Sequence, residues 1–213
     1  MAPPAGFPRS GDRCHDELVD DRTDAVDLDG FERRVDALLR RVTRLARTLV
    51  GTHQGAVMLT IGHDWQKARK YFSLSSTYAR WRDFAVPAVG VGTHAVVLEQ
   101  GVAVRMTQAE LERDPRWRNF SGLDHPPMRG WLAVPLQGED GRTYGLLQLS
   151  DKVDGSDFTD DDQHALTELA ALVSSALDGW ARALLRWDPA QEPVVRLTSA
   201  LRTDVAEAVP ADD

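Results

Sequence analysis

Six histidines and one cysteine are the residues from which this chain could build a reactive centre, and their spacing narrows the chemistry open to it. No two histidines stand four apart, and neither an HExxH run nor a G-x-S-x-G elbow occurs. The patterns of zinc peptidases and serine hydrolases are therefore missing. Cys14 lies in a polar leader, which excludes an internal disulfide, a cysteine-rich zinc site and a two-thiol redox cycle. Gly90-Val91-Gly92-Thr93-His94-Ala95 matches the dinucleotide fingerprint G-x-G-x-x-A, but Pro87 interrupts the apolar run before it and no second βαβ half is present. A loop ahead of a helix is the plainer reading, although an amide-rich helix start can still hold a carboxylate or phosphate.

Two arginines and a set of aromatics complete the candidates. Arg105, on an expected strand, and Arg129, beside Met128, can pair an anionic ligand because guanidinium binds carboxylate or phosphate bidentately; a surface salt bridge is the ordinary alternative. Trp65, Trp81, Trp117 and Trp131 suit a planar ligand or a buried core equally well. Arg33, Arg34, Arg40, Arg41, Arg44 and Arg47 give an expected first helix a basic flank, which fits a solvated face or a partner helix.

The elements that must position these residues follow from periodicity. Asp29 and Glu32 have capping-box spacing, and Phe31, Val35, Leu38, Val42, Leu45 and Leu49 recur every three or four residues, which predicts a long helix ending at Gly51. Strands are predicted over 54–61 and 70–75. Ser76 should cap a short helix through Trp81, and a second short helix should run from Thr93 to Glu99 before Gly101. A third strand follows over 102–106, then a helix opened by the Thr107/Glu110 capping box. Trp131–Gln137 and Tyr144–Ser150 flank an Asp140-Gly141 turn and should form a hairpin, with Pro135 at a bulge or on an unpaired side. Thr159, followed by Asp160, Asp161 and Asp162, should cap a final long helix with Leu166, Leu169, Val173, Leu177, Trp180 and Leu184 on one stripe. An α+β domain results, an antiparallel sheet with helical layers.

Composition sets the outer limits. The 213 residues fit one domain better than two, with 42% hydrophobic and 27% charged residues in the ordinary globular range. A disordered leader is expected over 1–27, a folded domain over 28–186 and a flexible acidic tail over 187–213. A net charge of −8 argues against nucleic acid as a partner. No apolar run approaches the roughly 20 residues of a membrane span, and the opening MAPPAGFPRSGDRCHDE lacks the apolar stretch of a secretory signal, so a cytoplasmic protein off the membrane is expected.

With these elements in place, Gly130-Trp131-Leu132-Ala133-Val134-Pro135-Leu136, then Asp140-Gly141, Tyr144 to Lys152, and Phe158-Thr159 with the acidic helix start resemble a GAF domain over about residues 29 to 185. MTQAELERDPRWRNF and HPPMRGW are similar to the GAF modules of bacterial PAS/GAF sensor histidine kinases, here expected as a stand-alone module. The resemblance implies five to six antiparallel strands, long N- and C-terminal helices on one face, and short helices and loops forming a pocket on the other. It places His94 and His125 near that pocket, each as a structural histidine or, less in keeping with the pattern, a haem ligand.

The pocket set so expected is Ser73, Trp81, His94, Arg105, His125, Arg129 and Trp131. Cyclic-nucleotide relatives carry Asn-Lys…Phe-x-x-x-Asp-Glu, of which Asp151-Lys152…Phe158…Asp162-Gln163 keeps only part. Cys14 lies too far out for a covalent bilin, and the pocket cysteines of the free-methionine sulfoxide reductases are missing. No cofactor is named by these residues, no metal site is expected, and no catalytic centre is expected. The resemblance implies a sensor that binds an unidentified small molecule, dimerises through its terminal helices and signals to a separate kinase or regulator. A dimerisation scaffold without ligand is the alternative.

Overall fold

A computed structural model describes residues 28–61, 64–82, 92–118, 126 and 128–187. Helix α1 (Leu28–Val50) starts one residue ahead of Asp29, so Asp29 lies within its first turn rather than capping it, and Glu32 accepts from Arg69 at 2.7 Å. Its buried stripe is Val35, Leu39, Val42, Ala46 and Val50. That is a rotation away from the predicted one: Leu45 and Leu49 are 53% and 58% exposed. Gly55 explains the rotation. A Cβ there would stand 2.9 Å from the Thr43 carbonyl oxygen and 3.2 Å from Arg47 Cβ, so helix backbone touches sheet backbone and small residues such as Thr43 and Ala46 must face the contact.

Strands β1 (Thr52–Ile61), β2 (Asp64–Leu74), β3 (Val104–Thr107), β4 (Gly130–Gln137) and β5 (Thr143–Lys152) form one antiparallel sheet in the order β2-β1-β5-β4-β3. β2 begins well before the predicted Lys70 because it is an edge strand, where the polar run DWQKARK can pair with β1 on one side only. β3 stops opposite Ala133, two positions short of Pro135, so the missing proline N–H falls where that ladder has already ended. The β4–β5 turn closes through the Gly138 N–H on the Arg142 carbonyl at 2.8 Å, with Gly141 at φ 80°.

Between β2 and β3 lie a 3-10 helix (Ser76–Trp81), preceded by Ser75 without a side-chain cap, and α2 (Thr93–Gln100), ended by Gly101 at φ 66°. Between β3 and β4 lie α3 (Gln108–Arg113), opened by the predicted Thr107/Glu110 capping box, and α4 (Pro115–Arg118). Helix α5 (Asp160–Trp187) closes the described chain, with the Asp162 N–H donating to Thr159 Oγ1 at 3.1 Å.

Helices α1 and α5 cover one sheet face. Val35, Leu39, Val57, Leu59, Leu132, Val134, Leu147, Leu149, Leu166, Val173 and Leu177 make the core there. Polar ties hold its rim. The Tyr71 hydroxyl donates to Asp36 at 2.6 Å, and the Tyr144 hydroxyl and the Glu139 N–H both donate to the buried Asp178. Burial, then the carboxylate partner, raises the pKa of both tyrosines, so each stays a donor at neutral pH. Among the described residues no helix is long and apolar enough to cross a membrane.

Candidate functional site

Strand alternation decides which side chains meet on the opposite face. Register runs three rows across the sheet: Leu74, Gln54, Ser150, Trp131 and Met106; then Phe72, Ala56, Gln148, Ala133 and Val104; then Lys70, Met58, Leu146 and Pro135. Val97 of α2 and Leu111 of α3 complete an apolar cluster with Ala56, Met58, Phe72, Trp131, Ala133 and Leu146, and Trp117 of α4 packs against it. The face is thus covered by short helices, where the other is covered by long ones.

Polar groups are buried within this apolar setting. Gln148 Oε1 accepts from the Trp131 indole N–H at 3.0 Å and lies 2.8 Å from His94 Nε2. An indole N–H only donates, so the Gln148 atom between them is its carbonyl oxygen and His94 must carry a proton on Nε2. The His94 and Trp131 rings lie 6.0 Å apart, tilted by 50°. Tryptophan, glutamine and histidine therefore form one connected chain from β4 through β5 to α2.

A second assembly closes the end of the sheet. The Tyr78 hydroxyl and the Arg129 N–H both donate to Asp151, a buried carboxylate at φ 55° just past Ser150. Tyr78 stacks on His53 at 4.7 Å and meets Trp81 at 5.0 Å, while Arg80 lies over Trp81 at 3.7 Å. Burial and then Asp151 push the Tyr78 hydroxyl pKa up, whereas burial pulls the His53 imidazole down. Among the described residues no group of three or more His, Cys, Asp or Glu is placed to hold a metal ion.

Of the residues singled out from sequence, the structure brings Trp131 and His94 together on this face and sets Trp81 beside Tyr78 on the 3-10 helix that follows β2. Two others point to the terminal helices instead. Ser73 Oγ accepts from Arg47 Nε of α1 at 2.8 Å, and Arg105 reaches Asp160 at the start of α5 at 2.6 Å. Strand parity is the reason: Ser73 pairs Gly55 and Arg105 pairs Leu132, both on the α1/α5 side. Arg129 is exposed and contributes its backbone N–H to Asp151. His125 lies outside the described residues, as do Gly90 and Val91 of the glycine motif.

Sequence reasoning passed over Gln54, Gln148, Ser150, Tyr78 and Asp151. Its available signal was parity, since Gln148 and Ser150 share one side of the stretch Gly145–Ser150, whose other residues are glycine and leucine. A separate cleft of about 340 Å³ opens on the α5 side, between Thr167, Ala170, Ala171 and Ser174 and the residues Gly101–Ala103, Val134, Pro135 and Gln137.

The partial nucleotide-type signature lies apart from the buried polar chain. Lys152 pairs with Asp162 at 3.0 Å, and Phe158 is buried against Gly130, so these residues tie β5 to the start of α5. The model of the GAF domain family matches residues 32–178. This chain belongs to the GAF domain family. The GAF fold recurs in solved structures of low identity. The blue-light absorbing form of the Thermosynechococcus elongatus PixJ GAF domain is 18% identical with a TM-score of 0.59, covering 78% of this chain and 97% of that one. The second GAF domain of DevS from Mycobacterium smegmatis is 18% identical with a TM-score of 0.52, over 71% and 98%. A type II free methionine-R-sulfoxide reductase from Thermoplasma acidophilum is 16% identical with a TM-score of 0.51, over 70% and 94%. At these identities the likeness is one of fold.

Proposed function

We propose that this GAF domain is a cytoplasmic sensor that binds a small ligand between the sheet and helices α2 to α4 and relays occupancy through α1 and α5 to a separate partner such as a kinase. The observation that carries it is the His94–Gln148–Trp131 chain, oriented polar groups on the short-helix face of which Gln148 and Trp131 are buried and His94 is half-buried. Core packing alone gives no reason to bury such groups, because each loses water and must be repaid by a partner. A ligand seated against His94 would bear on α2 and, through β4 and β5, on the sheet that α1 and α5 grip. Differential affinity for two packings of those helices is then what shifts the population.

Photoreceptor GAF domains and DevS among the similar structures support a signalling role. The sensor role involves no bond-making step, and the chain's single cysteine, Cys14, precedes the family match. Native mass spectrometry with absorbance on the purified full chain tests it. A retained small-molecule mass is the expected result, and an empty chain would turn the assignment to the second reading.

That second reading is a dimerisation scaffold without ligand, favoured by three exposed leucines on the terminal helices: Leu45 at 53%, Leu49 at 58% and Leu172 at 71%. Both readings share a homodimer through α1 and α5, which would cover those side chains.

A further inference from the structure

Among the described residues, two buried polar atoms on the short-helix face have no hydrogen-bond partner: Gln54 Oε1 and Ser150 Oγ. Gln54 is 8% exposed and Ser150 fully buried, and the register sets them directly opposite each other, with Trp131 as the next neighbour of Ser150 in the same row. Buried side-chain oxygens are nearly always satisfied, because each left alone forfeits the hydrogen bonds it made to water. Two orphans side by side, one row from the Gln148 chain, leave hydrogen-bonding capacity that a bound group could take up.

We infer that the buried end of the ligand is an uncharged amide-type group received by Gln54 Oε1 and Ser150 Oγ; this deepens the ligand reading above and rests on it. The oxygen of Gln54 only accepts, whereas the hydroxyl of Ser150 donates or accepts. A group with an N–H beside a carbonyl oxygen satisfies both at once, by donating to Gln54 and accepting from Ser150. Charge within the row disfavours ionic ligands. The row holds no cationic side chain: Arg105 faces α5 and pairs with Asp160, Lys70 stands two rows away on the edge strand, and Arg129 lies past the end of the row, beside Tyr78 and Asp151. The carboxylate that follows, Asp151, already accepts from Tyr78 and from the Arg129 N–H. An anion would meet the acceptor oxygen of Gln54 in a row that supplies no cation of its own. An ammonium would lose its water to reach two neutral oxygens. Trp131, Phe72 and Met106 supply an apolar wall for the rest of the molecule.

Three probes of nearly one shape separate these cases: benzamide, benzoate and benzamidine, titrated into the full chain while the Trp131 indole N–H and the Gln54 side-chain amide are followed by NMR. Benzamide should perturb both resonances, with the two charged probes at least about tenfold weaker, and Ser150→Ala or Gln54→Met should each weaken benzamide by about tenfold. Without probe, Ser150→Ala should melt at or above the parent temperature, since it removes an orphaned hydroxyl.

Benzoate binding as tightly as benzamide would overturn the inference. So would benzamide affinity unchanged in both variants, or a lowered melting point for Ser150→Ala with no probe bound, which would assign the two oxygens to a structural water. A native ligand retained equally by parent and both variants would overturn this inference while leaving the ligand reading intact. A chain that retains nothing and binds none of the probes overturns both.

Discussion

Leu146 and Leu147 are adjacent on β5, both fully buried, and they enter different environments. Leu147 joins a core packed by two long helices, at whose rim Asp36 pairs with Tyr71 and Asp178 with Tyr144. Leu146 joins a face covered by four-, six- and eight-residue helices, where Gln54, Gln148 and Ser150 are buried in the strands themselves. The difference teaches which face bears the stability. Long helices contribute many apolar contacts per turn fixed, whereas short ones depend on the sheet beneath them and can shift at smaller cost.

The sharpest way to break this comparison is to empty each side in turn. Leu147→Ala should cost about 2–5 kcal/mol, with Leu146→Ala nearer the low end because a thinner layer collapses more readily onto the gap. Equal costs by chemical denaturation would dissolve the distinction. Next in size is the helix–sheet contact at Gly55, where the valine side chain has no room under Thr43 and Arg47. Gly55→Val should destabilise by about 1–3 kcal/mol through a displaced α1, and a neutral result would mean that the contact does not set the helix rotation.

A smaller effect concerns His53, at the end of the sheet. Burial, then Arg129 and Arg47, hold its pKa below the usual value against the opposing pull of Asp151. An imidazole with a lowered folded value takes up its proton less readily than in the unfolded chain. Stability from this group is therefore present above about pH 6.5 and declines as pH falls below it. Melting midpoints of the parent should drop more than those of His53→Gln between about pH 7 and pH 5.5, and parallel profiles would remove His53 as the cause.

The smallest change in stability belongs to the outer surface of α1. Leu45 and Leu49 are exposed, so Leu45→Glu with Leu49→Glu should alter the monomer's stability by no more than about 0.5 kcal/mol. Sedimentation should nonetheless convert a parent dimer into a monomer. A parent already monomeric at micromolar concentration would defeat the proposed homodimer. Charging Leu177 instead would test nothing about assembly, because that residue is fully buried in the core.

Local signals carried much of the fold. The Thr107/Glu110 capping box, the Gly101 stop, the Asp140-Gly141 turn and the Thr159 cap each depend on groups within a few residues, and each is present as predicted. Of the site, Trp131 and His94 were legible through the family pattern. Ser73 and Arg105 were not, since a residue's side of a strand depends on register with its neighbours, and a shift of one position reverses it.

Sequence alone thus determined the elements, their order and the polar residues available to a site, because propensity, capping and turn chemistry act over short stretches of chain. Tertiary structure decided the rest. The close approach at Gly55 chose which stripe of α1 is buried, sheet order made β2 an edge strand, and pairing across β1, β5 and β4 set Gln54, Ser150 and Trp131 in one row. These are contacts between separate elements of the chain, and their partners are fixed only when the chain has closed around them.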